Sequence, residues 1–313
     1  MYTCLGEKRF INDTEDPSDP LSPTKKKNCT QLDSITENSP KKDTETLLKF
    51  LSWNVNSLKR VLERKQLVNL VSQEDPDFIC LQETKLTEDK VPGAFLLPQY
   101  KKFFNCCETK RGYSGTALFS KMAPIAVLKD FEGVYSEHNK TGRLIVAEYE
   151  NFYVASVLNN MTSYVPNSGD KLKNLEYRVH SWDPSFCSYI CELQMKKPIV
   201  LLGDLNVAHQ DIDVYAPERL GSKAGFVQSE RNNFSKFLEE TKMVDSFRYL
   251  YPHRKEAYSF WDYKTGGRLR NQGWRIDYCL LSSSLVSNLV DAFILDKIEG
   301  SDHCPIGIQM RIF

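Results

Sequence analysis

The chain has 313 residues, 41% of them hydrophobic and 26% charged, which is the balance of a folded soluble protein with apolar material for a sizeable core and length for one large domain or two small ones. Lys plus Arg and Asp plus Glu each number 41, which excludes a global field drawing the protein to a polyanion; any contact with nucleic acid has to come from a local patch. The nine cysteines form no CxxC pair, show no zinc-finger spacing and are odd in number, so no disulfide framework is legible and a reducing compartment is the simpler reading.

Residues 1–46 are rich in Ser, Thr, Asp, Pro and Lys and carry no periodic apolar pattern, which predicts a disordered tail. The tail opens with MYTCLGEKRF, which lacks the apolar core of a signal peptide, and no later run is apolar enough to cross a bilayer. A cytosolic or nuclear protein is expected. Lys25, Lys26 and Lys27 with Lys41 and Lys42 have the form of a split nuclear address, and equally of solvated charge in a linker; nuclear placement is the expectation, with mitochondrial or cytoplasmic placement left open.

From residue 47 onward strands and helices interleave. LLKFLSWNV reads as a strand, and apolar residues at helical spacing predict a helix over Leu58–Val71. DFICLQET is a second strand; RLIVAEY and NFYVASV predict a hairpin closing near Glu150 and Asn151; a long helix is expected over Leu172–Leu193. PIVLLGDLN is a short apolar strand of the kind buried on both faces, and WRIDYCLLS is another strand. In the last strand Ile306, Ile308, Met310 and Ile312 alternate with Gly307, Gln309 and Arg311, so one face of it meets a core. The predicted fold is a four-layer α/β sandwich, two mixed sheets packed face to face with helices outside, forming one domain over residues 47–313.

Four strand ends carry unusual polar groups: Asn54 and Asn56 in SWNVN, Glu83 in CLQET, Asp204 and Asn206 in LLGDLN, and Asp302 and His303 in GSDH. Taken singly each is an ordinary turn residue. Together they offer carboxylate and amide oxygens without any Cys or His pair at ligand spacing, and hard oxygen donors favour Mg²⁺ or Mn²⁺ over zinc. A site of that kind suits phosphodiester cleavage.

The stretches LSWNVNSLKR, PDFICLQETKL, GYSGTALFSK, YVPNSG, LEYR, GDLNVAH, SFWDY, GWRIDYCLLS and GSDHCPIG, in this order, resemble the successive signatures of the exonuclease III family. Within it they resemble most the eukaryotic apurinic/apyrimidinic endonucleases, and the match covers all but the tail. The resemblance implies a Mg²⁺-dependent enzyme, with Mn²⁺ as a substitute, that cuts duplex DNA on the 5′ side of an abasic site, leaves a 3′ hydroxyl and also trims 3′ ends. It implies a monomer whose partner is DNA and not a membrane. Glu83 would be the principal metal ligand, with Asn54, Asn56 and Asp302 around the ion and Asp204 and Asn206 beside it. Asp204 would deprotonate the attacking water, His303 would bind a phosphate oxygen, and Asp277 would fix the imidazole. Tyr164 and Asn167 would touch the scissile phosphate, and Arg143 and Tyr113 would contact the DNA backbone. Phe260, Trp274 and Ile276 would line a recess for the flipped sugar.

Three departures from the family pattern stand out. Asn56 is found where many eukaryotic relatives have Asp, which removes one negative charge from the ion's surroundings. LNNMTS, Leu158–Ser163, is extra before YVPN, and Asp170 and Lys264 stand where relatives wedge a side chain into DNA. Phosphoinositide phosphatases, sphingomyelinases and RNA deadenylases of the same superfold would share Asp204, Asn206, Asp302 and His303 but not the segment from Phe260 to Asp277. A DNA-binding relative without catalysis is the alternative from another class.

Overall fold

The computed structural model describes residues 46–93, 95–131, 138–158 and 172–312. The tail and its lysines, the extra LNNMTS segment beyond Leu158, and Tyr164, Asn167 and Asp170 lie outside the described residues. The chain runs in order through β1 (Thr46–Asn54), α1 (Leu58–Glu63), α2 (Gln66–Glu74), β2 (Phe78–Gln82), β3 (Lys101–Asn105), β4 (Thr116–Ser120), β5 (Ala126–Lys129), β6 (Leu144–Glu148) and β7 (Tyr153–Leu158). It continues with α3 (Leu175–Tyr177), α4 (Asp183–Gln194), β8 (Ile199–Asp204), α5 (Pro217–Leu220), α6 (Gln228–Thr241), β9 (Met243–Asp245), α7 (Ser246–Leu250), β10 (Asp277–Ser282), β11 (Leu289–Ile294) and β12 (Ile306–Ile312).

The strands make two six-stranded sheets, in the orders β11-β12-β1-β2-β4-β3 and β5-β6-β7-β8-β10-β9. Each is mixed: β1 runs parallel to β2 and β7 parallel to β8, while the other pairs are antiparallel. Period-two alternation sorts the apolar residues into layers. Phe50 and Phe78 of the first sheet and Val154, Val200 and Leu202 of the second meet in a central core. Leu51, Trp53, Ile79 and Leu81 turn the other way onto α1 and α2, and Ile199 and Leu201 turn onto α4 and α6. This is the expected four-layer sandwich. Phe50 and Phe78 stack with centroids 4.5 Å apart and have no exposed surface; each such ring contributes roughly 1.5–3 kcal/mol of burial.

Two helical expectations are corrected. The helix foreseen over Leu58–Val71 breaks in two because Lys65 adopts a left-handed backbone, φ 55°, in the polar stretch Glu63–Lys65, where no apolar side chain rewards continuing the first turn. The helix foreseen over Leu172–Leu193 starts at Leu175 and passes through a π-helical turn at Arg178–Trp182 before α4. That wider turn carries Arg178 beneath the loop after β8, a placement typical of π-bulges near functional sites. The β6–β7 hairpin, the fully buried β8 and the closing β12 lie where the pattern put them. Trp274–Ile276 precede β10 rather than belonging to it. Among the described residues no helix is long and apolar enough to cross a membrane.

Candidate active site

The two parallel pairs decide where the polar strand ends meet, since β1 and β2 finish side by side and so do β7 and β8. Asn54, with no exposed surface, ends β1 in the first sheet, and Asp204, equally buried, ends β8 in the second. Asn54 Nδ2 donates to Asp204 Oδ2 at 2.9 Å and to Glu83 Oε1 at 3.3 Å, so it joins the sheets at this end. The residue before Asp204 has to be glycine: a Cβ on Gly203 would lie 1.9 Å from the Val157 carbonyl oxygen.

Past the strand ends the backbone turns sharply. Asn56, Glu83 and Asn206 all have left-handed φ, 47°, 52° and 49°, which brings their side chains back over the cluster. Asn56 Nδ2 donates to Asp302 Oδ1 at 2.9 Å, while its Oδ1 accepts from the Lys85 ammonium, which also pairs with Glu83 Oε2 at 2.8 Å. Burial works against the charge on Glu83, but Lys85, with smaller help from His303 and Asn54, outweighs it and holds the carboxyl below its ordinary value. Asn54, Asn56, Glu83 and Asp302 thus form one connected set of oxygen donors. The Lys85 ammonium sits on Glu83 and Asn56, where the set's negative charge gathers, and the set's all-oxygen chemistry fits Mg²⁺ or Mn²⁺.

The second half of the cluster is a carboxylate, histidine and carboxylate row. Asp277 opens β10 directly opposite Asp204 on β8. His303 Nδ1 donates to Asp277 Oδ2 at 2.8 Å, and Nε2 stands 3.9 Å from Asp204 Oδ2. Burial alone would lower the imidazole pKa, but Asp277 and Asp204 raise it well above the ordinary value and favour the imidazolium. Burial, reinforced by Asp277, raises the pKa of Asp204 against the pull of His303 and Asn54. Asp204, Asp277 and His303 present ligand atoms within 4.8 Å of one another, but Nδ1 of His303 is committed to Asp277. The oxygen set around Glu83 is therefore the better cation site. Asn206 N is held by Asp204 Oδ1 at 2.9 Å, whereas both atoms of its buried side-chain amide lack a partner among the described residues.

The sequence pattern of the endonuclease/exonuclease/phosphatase family matches residues 51–303, from inside β1 to His303. The chain belongs to that family. It is 45% identical over 266 residues to an exodeoxyribonuclease of Bacillus subtilis, covering 85% of this chain and all of the relative. It is 43% identical over 267 residues to the DNA repair nuclease APEX1 of Danio rerio, covering 85% of this chain and 83% of that protein. The crystal structure of an AP endonuclease from Leishmania major superposes with a TM-score of 0.76 at 33% identity, covering 85% of this chain and 88% of that one. Within the family the chain stands with exonuclease III-like nucleases and AP endonucleases.

In this family member the residues foreseen from the sequence fall into three neighbouring groups. Asn54, Asn56, Glu83, Asp204, Asn206, Asp277, Asp302 and His303 share the cluster above. Phe260, Trp274 and Ile276 lie against it: Phe260 bridges to both Trp274 and His303 and places its ring 4.8 Å from the imidazole, while Ile276 packs with Val214 and Phe226. Tyr113 and Arg143 line an open cavity of about 420 Å³ with Lys110, Thr141, Lys173 and Asn174. Burial raises the Tyr113 hydroxyl, Arg143 opposes, and Glu83 adds to the rise, so the cavity lies beside the carboxylates. Cys304 is fully buried with its thiol held protonated, and takes no part.

Several contributors were not legible as such. Ser259 Oγ donates to Asp277 Oδ2 at 2.7 Å and accepts from the Ile276 and Asp277 amides at 3.1 Å each, fixing the carboxylate that fixes His303. Lys85 and Arg268 are engaged inside the protein, Lys85 on Glu83 and Asn56. Arg268 bonds the carbonyls of Asp296 and Ser301 at 2.8 and 3.2 Å, securing the turn that leads into Asp302. Arg178, buried under the loop after β8, donates to the Leu205 and Asn206 carbonyls at 2.8 Å and to Glu230 at 3.0 Å.

Behind the apolar recess Asp213 is wedged between Arg275, Nε at 2.8 Å, and Arg248, Nη2 at 2.5 Å. Burial opposes its charge, but Arg275 and then Arg248 outweigh this and bring it down to about 2. A carboxylate whose folded value is depressed contributes stability that is complete above the unfolded value and lost as pH falls toward the folded one. Urea midpoints are therefore expected to show about 2 kcal/mol lost between about pH 4 and about pH 2, a slope absent in Asp213→Asn. At neutral pH that variant should lose about 3–5 kcal/mol, because Arg275 is left buried without its main counter-charge. Identical acid slopes for the two proteins would refute the assignment.

Proposed function

We propose that the protein is a divalent-metal-dependent endonuclease of DNA repair that hydrolyses the phosphodiester on the 5′ side of an abasic site in duplex DNA, leaving a 3′ hydroxyl, and that it also trims blocked 3′ ends. The observation that carries this reading is the buried Asp277, His303, Asp204 row lying against the Glu83 oxygen set on one side and the Phe260 recess on the other. One chain furnishes every group named.

A water placed at Asp204 is deprotonated by its carboxylate, whose raised pKa makes it a stronger base than an exposed aspartate. The water oxygen forms a bond to phosphorus, the bond from phosphorus to O3′ breaks, and O3′ leaves to take up a proton. The His303 imidazolium, with Nδ1 tied to Asp277, presents Nε2 to a non-bridging phosphate oxygen and gains strength as charge builds there. The Asn206 side-chain amide, without a partner among the described residues, has both a donor and an acceptor for the phosphate or the water. Tyr164 and Asn167 are assigned to the same phosphate. A cation on Asn54, Asn56, Glu83 and Asp302 would neutralise phosphoryl oxygens and the developing O3′ charge. Phe260, Trp274 and Ile276 receive the sugar without its base, the selection expected of an enzyme that extrudes its target from the stack, and Lys110, Arg143 and Lys173 hold the strand by its phosphates.

The deciding experiment compares abasic and intact duplexes, with Mg²⁺ and with chelator. Nicking confined to abasic DNA with Mg²⁺ is expected. Faster turnover of a phosphoinositide or of poly(A) would transfer the site to a different substrate class, and tight abasic binding without any cut would remove the catalytic reading. The charge missing at Asn56 gives a further prediction: Asn56→Asp, placed beside Asp302 and Lys85, should tighten Mg²⁺ about threefold to tenfold by calorimetry. Unchanged affinity would take position 56 out of the ion's surroundings.

A further inference from the structure

Away from the strand ends, on the helical layer over the second sheet, two thiols and a carboxylate come together. Cys187 and Cys191 are four residues apart on α4, which puts them on one face of the helix, and that face packs against α6, where Glu240 lies. Cys187 Sγ donates to Glu240 Oε2 at 3.2 Å, and Cys191 Sγ to the Glu240 carbonyl at 3.9 Å. The two sulfurs also interact with each other. Cys187 is buried and Cys191 half-buried, so the group has a floor and an opening.

We propose that Cys187, Cys191 and Glu240 bind one thiophilic divalent cation of the zinc class, with two thiolates and a carboxylate as ligands and water in the remaining position. Two sulfurs with one carboxylate suit zinc or cadmium and suit magnesium poorly, so this site and the oxygen set at Glu83 select different ions. Each thiol gives up its proton to solvent as its bond to the metal forms, and no electron is transferred. Without an ion, burial and Glu240 push the Cys187 thiol up to about 12; a dication reverses that by neutralising the carboxylate. Cys191 now faces the Glu240 carbonyl rather than its carboxylate, so gathering the three donors takes a rotation of the Glu240 side chain. The rotation gives up the Cys187 Sγ hydrogen bond to Glu240 Oε2, which the metal bonds replace, and the exposed contact of Glu240 Oε1 with Lys236, 3.6 Å long, a pairing of little energetic weight. The bound ion would tie α4 to α6.

The test titrates the full chain with Cd²⁺, reading the thiolate-to-cadmium charge-transfer band and then its displacement by Zn²⁺. The wild-type protein is expected to bind one equivalent more than either Cys187→Ser or Cys191→Ser, with Glu240→Gln binding that equivalent more weakly. Cd²⁺ should raise the melting midpoint of the wild type and not of Cys191→Ser, a half-exposed position where serine leaves the packing intact. Glu83→Gln should keep the band at full height. Equal stoichiometry in the wild type and both serine variants overturns the proposal.

Discussion

Asp204→Asn is expected to slow Mg²⁺-dependent nicking of an abasic duplex by about 10²–10⁴-fold, and Glu83→Ala to slow it by at least as much, while abasic-DNA binding measured in chelator stays intact. Asparagine keeps the shape of Asp204 and its one carbonyl oxygen keeps one of the two bonds the carboxylate accepts, from Asn54 Nδ2 or from the Asn206 backbone N–H, so the fold and the recess persist. What goes is a carboxylate beside the phosphate site that combines burial with a raised pKa and that has no charged hydrogen-bond donor at bonding distance among the described residues, since His303 Nε2 stands off at 3.9 Å. Glu83→Ala acts differently: it removes the carboxylate that Lys85 and Asn54 hold in place and empties the centre of the oxygen set. The two variants should therefore separate by rescue, with raised Mn²⁺ restoring part of the activity of Glu83→Ala and none of that of Asp204→Asn. Full nicking by both variants would sink the site assignment.

Asp277→Asn should cost about 10²–10⁴-fold as well, through His303. The amide offers either an oxygen or an NH₂ to Nδ1, and Ser259 Oγ, now donating to Asp277 Oδ2 at 2.7 Å, competes for the oxygen. The imidazole loses the charge that contributes most to its raised pKa. The alkaline limb of the rate profile should accordingly move to lower pH, because the protonated form is lost sooner once the carboxylate is neutral. A lower rate with an unmoved alkaline limb would show that Asp277 serves only the packing of β10.

The parts of this site that could be read in the sequence are those that announce themselves at strand ends. PIVLLGDLN and GSDHCPIG each couple an apolar strand to a polar end, with Asp204 closing the fully buried β8 and His303 standing just before β12. Less legible were groups whose role depends on a distant partner. Ser259 lies in SFWDY and looks like part of an aromatic core until β10 brings Asp277 onto its hydroxyl. Lys85 looks like a surface cation, yet the left-handed turn at Glu83 folds it back onto the carboxylate two residues earlier. Arg178, in the midst of a helical pattern, gives no sign of the π-turn that carries it under Leu205 and Asn206. The break at Lys65 escaped for a different reason: apolar spacing continues across it, and only the backbone reverses.

The Asn54 amide is one of the polar side chains of the first sheet that reach across to the second at this end, with Gln82 Nε2 donating to Ser156 Oγ at 3.3 Å and Asn105 Nδ2 to the Leu144 carbonyl at 3.0 Å. The bond of Asn54 to Asp204 and that of His303 to Asp277 are the crossings at which the catalytic halves are kept in register. Catalytic competence is therefore a gauge of how the two sheets are seated on one another. Mild denaturant or heat that loosens the Phe50, Phe78 and Val200 layer should silence the enzyme while each sheet keeps its own hydrogen bonds, so lost activity would precede any change in far-ultraviolet dichroism.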